Sequence, residues 1–155
     1  MPVRHADTYA RPGNLDFPAP ENWNADHNAP PCICTLNSGN VTWTNMPAAL
    51  TELFGNVHRR SLVDLTHAAQ ARLVVRVSTV GSANAVLAAQ YSLDESSWSV
   101  LSGVLAIGGG SAGVRATAWD TIPAPALTDV FVRIAGQSGD GAADPILGTI
   151  QLQYR

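Results

Sequence analysis

The chain has 155 residues, 46% of them hydrophobic and only 14% charged, with a formal net charge of −3, enough apolar material to bury roughly two-thirds of the unfolded surface in one core. Bulk disorder is excluded, and no metal or disulfide staple is required for folding. All nine basic residues are arginine, scattered from Arg4 to Arg155 and outnumbered by twelve carboxylates, which argues against a nucleic-acid partner that would need a basic stripe.

Pro2, Pro12, Pro18, Pro20, Pro30 and Pro31 crowd the first 31 residues, a density that forbids helix and interior strand. Tyr9, Leu15, Phe17 and Trp23 stand among them, and a solvated tail has little use for such side chains. Residues 1–38 therefore read as an extended, proline-rich N-terminal arm, with residues 39–155 as the folded domain. At ~3.3 Å per residue the arm could reach on the order of 120 Å. It lies either on another molecule or back over its own domain. The first residues lack the basic start and apolar run of a secretory signal, and no stretch approaches the ~20 apolar residues of a membrane span. The expectation is synthesis in a cytosol, with no membrane partner. Cys32 and Cys34 would point the same way from an extended strand, too tight for an unstrained disulfide, and are expected as reduced thiols. Zinc would need a Cys-x2-Cys spacing and a second ligand pair.

Val41 to Thr44 alternates as a short strand. Next, Met46, Ala49, Leu50, Leu53 and Phe54 fall at helical spacing, with Asn45 as N-cap, Pro47 in the first turn and Gly55 as the stop, so one short helix is expected at about 45–54. Everything after Gly55 reads in period two. Leu73, Val75 and Val77 oppose Arg72, Arg76 and Ser78; Leu87, Ala89, Tyr91 and Leu93 oppose Ala88, Gln90 and Ser92. Val130, Val132 and Ile134 oppose Phe131 and Arg133; Ile150, Leu152 and Tyr154 oppose Gln151, Gln153 and Arg155. Weaker strands fit near 59–65, 98–105 and 114–120, and Gly-, Ser-, Asp- and Pro-rich turns separate them all. The fold class is all-β: an antiparallel jelly-roll-like β-sandwich of about seven or eight strands, with one short helix and an extended N-terminal arm.

Chemistry-bearing motifs are sparse. His5, His27, His58 and His67 show no ligand spacing, and Asp64 between the last two lacks a nucleophile. Gly108 to Gly113 is glycine-rich but has neither the lysine nor the helix of a phosphate loop. Asp140 and Asp144 read as an acidic turn rather than a calcium site. Asn40-Val-Thr42 is a glycosylation sequon without a secretory route. Tyr91 to Trp98 resembles a degenerate Asp-box, a structural hairpin turn in which Asp94 would accept turn amides and Trp98 would pack beneath. No catalytic residue, metal or cofactor is assigned, and the chain is expected not to be an enzyme. Trp23, Trp43, Trp98 and Trp119 raise sugar stacking as an alternative use.

Several stretches together resemble a β-sandwich module of tailed-bacteriophage structural proteins. They are Trp43 to Gly55, Val63-Asp-Leu-Thr66, Ala71-Arg-Leu-Val-Val-Arg-Val77, Ala89-Gln-Tyr-Ser-Leu-Asp94 with Trp98, Asp129-Val-Phe-Val-Arg-Ile134, and Gly139 through Pro145. The likeness is to capsid decoration or minor capsid proteins of phages that infect actinobacteria. It implies a structural protein of the virion exterior that binds the major capsid protein, reinforces the assembled shell and sits as a homotrimer. On that reading Tyr9, Arg11, Phe17 and Trp23 are the capsid-binding residues, aromatic and arginine side chains being typical interface anchors. The alternative is a tail- or fibre-associated module that binds host-surface carbohydrate.

Overall fold

The computed structural model describes residues 31–42, 49–52, 60–81, 84–122, 127–138 and 145–155. The strands are β1 (Cys32–Asn37), β2 (Val41–Thr42), β3 (Thr51–Glu52), β4 (Ser61–Leu65), β5 (Gln70–Thr79), β6 (Val86–Ser92), β7 (Ser99–Val100), β8 (Leu105–Ala106), β9 (Gly113–Ala116), β10 (Asp120–Thr121), β11 (Leu127–Gln137) and β12 (Ile146–Tyr154). They form two sheets. The first runs β1-β12-β5-β10, with β2 also on β12 and β9 also on β5; the second runs β3-β11-β6-β7, with β4 also on β11 and β8 also on β6. The strand ladders are antiparallel. The fold is an antiparallel, jelly-roll-like β-sandwich. Among the described residues there is no helix, and so none long and apolar enough to cross a membrane.

The period-two pattern places the core. Leu73, Val75 and Val77 of β5, with Leu147, Ile150 and Leu152 of β12, face Leu87 and Ala89 of β6 and Val130, Val132 and Ile134 of β11, all buried between the sheets. Leu36, Val63, Leu65, Leu101 and Ile107 close the layer. Full burial of each such aliphatic side chain contributes about 1.5–3 kcal/mol. This layer holds the strands rigid enough to present their outward side chains at fixed spacing.

Three expectations are corrected. The helix at about 45–54 is not what the described part of that segment forms: Thr51–Glu52 is β3, paired with Gly136 and Ala135, and the rest lies outside the described residues apart from Ala49 and Leu50, which are not helical. The helical spacing of apolar residues could not register that the Glu52 carboxylate binds Arg133 of the adjoining strand, a non-local ladder that overrides local propensity. The sheet begins at Cys32, inside the segment read as arm (1–38), because Cys32, Cys34 and Leu36 alternate against Tyr154 and Leu152 of β12. After a register shift, Asn37 donates its side-chain amide to the carbonyls of Gly39 (2.5 Å) and Gly148 (2.6 Å). Thirdly, β6 is covered on both sides: Ala88, Gln90 and Ser92 are buried along with Leu87 and Ala89. Leu93, expected inward, is 66% exposed, because β6 ends at Ser92 and the chain turns around Asp94.

Candidate binding surface

Tyr9, Arg11, Phe17 and Trp23, expected to bind a capsid, lie outside the described residues, as do Trp43, His5, His27 and His58. Three side-chain groupings stand out in the described part.

The first is a knot on the outer face of the second sheet. The Glu52 carboxylate accepts from Arg133 (3.3 Å) and from Arg60 (3.2 Å), and Arg133 also donates to Gln90 on the next strand (2.9 Å). Both guanidiniums lie against the Trp98 indole, at 4.0 Å for Arg133 and 5.3 Å for Arg60. The Glu52 and Arg133 side chains are 8% and 14% exposed, so that pair lies largely inside the protein, while Arg60, at 38%, stands at its rim. Hydrogen bonds to Glu52 and then Glu95 push the Arg60 guanidinium up. The turn leading to Trp98 is built by Asp94, which accepts from the Ser96 hydroxyl (2.7 Å), the Ser96 and Ser97 amides (2.9 and 3.1 Å) and the Ser92 hydroxyl (3.0 Å). These bonds, the Ser96 hydroxyl first, hold its carboxyl far below the ordinary range. The Asp-box likeness thus describes the local geometry, with Glu95 in the left-handed region at φ 61° and the Trp98 Nε1 donating to the Glu95 carbonyl (3.3 Å).

The second is a cleft at one end of the sandwich, lined by Cys32, Asp64, His67, Ala68, Tyr154 and Arg155. Its carboxylate is held by local hydrogen bonds. Asp64 Oδ1 accepts from both the hydroxyl (2.5 Å) and the amide (2.9 Å) of Thr66, which lowers its carboxyl. Burial pushes the neighbouring Cys34 thiol up, against a hydrogen bond with Ser61, and a thiol raised in this way is a poor nucleophile at neutral pH. Among the described residues no three His, Cys, Asp or Glu side chains gather as a metal-binding group.

The third is the outer face of the first sheet. Alternation sends Arg72, Val74, Arg76 and Ser78 of β5 outward. The register sets Gln153 and Gln151 of β12 beside Arg72 and Val74, and Val114 of β9 beside Arg76. Arg72 donates to Gln153 (2.9 Å) and Arg155 to Gln70 (2.9 Å), and both guanidiniums lie against Trp119, at 4.5 and 4.3 Å. None of the described carboxylates shares this face. Glu52, Asp64 and Asp129 belong to strands of the second sheet, Asp94 and Glu95 to its turn, and Asp120 turns inward to accept the Gly103 amide. Ile33 and Val114 are 54% and 71% exposed. The face is a cationic and partly apolar platform on a chain of net negative charge. Period-two alternation puts Arg72 and Arg76 outward but does not by itself reveal the platform. A signal was present: no carboxylate occurs between Asp64 and Asp94, nor after Asp144, and those two acid-free stretches supply the adjacent strands β5 and β12.

No protein-family profile matches the chain, and no curated protein sequence does. Among solved structures, the chain is similar to Eiger TNF from S. frugiperda at 12% identity and a TM-score of 0.43, over 81% of this chain and 93% of that one. It is also similar to a chain of infectious bursal disease virus, Gt strain, at 14% identity and a TM-score of 0.39, over 80% of this chain and 33% of that one. The Gx strain gives 14%, 0.34, 79% and 32%. The chain thus spans about a third of the length of the two viral chains. Likeness at this level says nothing of function.

Proposed function

We propose that the protein is a non-enzymatic structural component of a virion, which binds the outer surface of an assembled phage capsid and reinforces the shell. The observation that carries this reading is the outer face of the first sheet, which carries no carboxylate among the described residues and sets Arg72, Arg76 and Arg155 among exposed apolar and amide side chains. An open sheet face of this kind suits docking on a protein wall better than enclosing a substrate. The phage-module resemblance in the sequence supports the same partner, the major capsid protein, and a homotrimer that would multiply modest contacts. Residues 1–30 extend the contact, through Tyr9, Arg11, Phe17 and Trp23.

Carbohydrate binding by a tail or fibre module requires indole faces open to a sugar ring. Trp98 and Trp119 each have two guanidiniums against them, which counts against that use. The test is co-sedimentation of the purified protein with capsids that lack it. Saturable binding that falls on deletion of residues 1–30 supports the reading; absence of binding, with saturable attachment to host glycans, overturns it. The deletion stops at Pro30 because removing residues up to 38 would take β1 out of the first sheet.

A further inference from the structure

The described arginines sort by what holds them. Arg60 and Arg133 are paired with Glu52. Arg72 and Arg155 are bonded to glutamines and stacked on Trp119. Arg115 donates to the carbonyls of Ala106 (3.2 Å), Gly108 (3.4 Å), Gly109 (2.7 Å) and Ser111 (2.8 Å), clamping the glycine-rich turn. Arg76 has no ion pair, hydrogen bond or ring contact among the described residues, although it stands mid-strand in β5, the longest strand of its sheet.

Its surroundings are shaped for it. Opposite Arg76, β12 bulges between Leu147 and Ile150, which pair with Val77 and Val75. The bulge contains Gly148, where a β-carbon would stand 3.2 Å from Asn40 Oδ1 and 3.5 Å from Cβ and Cδ of Arg76. A β-carbon there would crowd the Asn40 side chain while resting in ordinary van der Waals contact with the arginine stem. A hollow opens on each side of the side chain: one is lined by Val74, Val114, Thr149 and Gln151, the other by Ser78, Ala112, Gly113 and Val114. Arg76 and Val114 are common to both.

A free guanidinium on a rigid strand, flanked by exposed valine and by hydroxyl and amide groups, matches a carboxylate side chain with apolar neighbours. The guanidinium can take both carboxylate oxygens in a bidentate pair, and the valines cover the apolar atoms beside it. A free inorganic anion would leave Val114 and Val74 unused. Nucleic acid would need several free cations, whereas the other cations of the face are already engaged. An acidic partner meets no like charge here, since the described part of this face carries no carboxylate. We infer that Arg76, with Val114 and Val74, is the docking point for a carboxylate-bearing segment of a partner protein. That the segment belongs to a capsid wall rests on the function proposed above; the chemistry of the site does not.

The test uses the full chain with Arg76→Glu, Arg76→Lys and Val114→Asp, and Ser99→Glu on the exposed edge of the second sheet as a charge control. Each variant is first checked for an unchanged circular dichroism spectrum. In co-sedimentation with undecorated capsids, Arg76→Glu and Val114→Asp weaken binding by about tenfold or more, Arg76→Lys by less, and Ser99→Glu not at all. Wild-type binding with Arg76→Glu equally tight overturns the docking point while leaving the capsid reading intact. If the wild type does not bind capsids, the capsid reading fails, and a synthetic peptide of alternating leucine and glutamate decides the docking point by amide chemical shifts. Shifts centred on Arg76, Val114 and Thr149 sustain it; shifts elsewhere or none overturn it. Self-association of the wild type that Arg76→Glu abolishes would assign the face to a second copy and also overturn it.

Discussion

Trp98 and Trp119 are each packed against two arginines, and they differ in what balances the cations. At Trp98 the Glu52 carboxylate joins both guanidiniums from a position almost shielded from water, with Glu95 adding a second acid to Arg60 (2.5 Å). At Trp119 the partners are neutral, Gln70 and Gln153. The same aromatic–cation pairing therefore serves two ends. Where the charge is balanced, Glu52 and Arg133 lie largely buried with Arg60 and Glu95 at the rim, and the group fastens β3, β11 and the Asp94 turn together. Where it is not, the arginines stay at the surface and leave the first sheet with a cationic face.

The comparison breaks most readily at Glu52. Glu52→Ala would leave Arg133, whose side chain is 14% exposed, with no carboxylate, at a cost of about 3 kcal/mol and a fall in Tm on the order of 10 °C in a thermal melt. Trp98→Ala, which removes the ring beneath both guanidiniums, costs about 2 kcal/mol by urea titration, whereas Trp119→Ala costs about 1 kcal/mol. Equal losses at the two tryptophans would end the distinction. Arg115→Ala, which frees the turn where Gly109 and Gly110 adopt φ of 64° and 68°, costs about 1 kcal/mol and speeds proteolytic cleavage near Gly109.

The smallest effect is a pH slope. Asp94 has a lower pKa folded than unfolded, so the unfolded chain binds the proton first as pH falls through about 4. The stability it contributes is complete above that range and is lost as pH falls toward the folded value. Asp94→Asn should therefore flatten the decline of the urea midpoint between about pH 5 and about pH 3; an identical decline in both proteins would deny Asp94 that role.

Much of the sandwich was legible because a strand with one face in the core alternates, as β5, β11 and β12 do. The Asp94 turn was legible because its bonds span only a few residues. Glu52 was misread since its reason for being in a strand lies 81 residues away in Arg133. The edge strand β1 was hidden by the prolines before it. The cationic face was hidden for the same reason as Glu52: which residues stand beside Arg76 depends on β9 and β12 pairing with β5, a matter of sheet order and of one bulge at Gly148. Local pattern reports which way a side chain points, not what it meets there.

The central claim, that the first sheet's outer face meets a protein wall, is tested most directly by a density map of the capsid carrying this protein. The account predicts Arg76 and Val114 against the shell, with a shell carboxylate within hydrogen-bonding distance of the guanidinium. A map in which that face looks into solvent while the Trp98 side lies on the shell would contradict it.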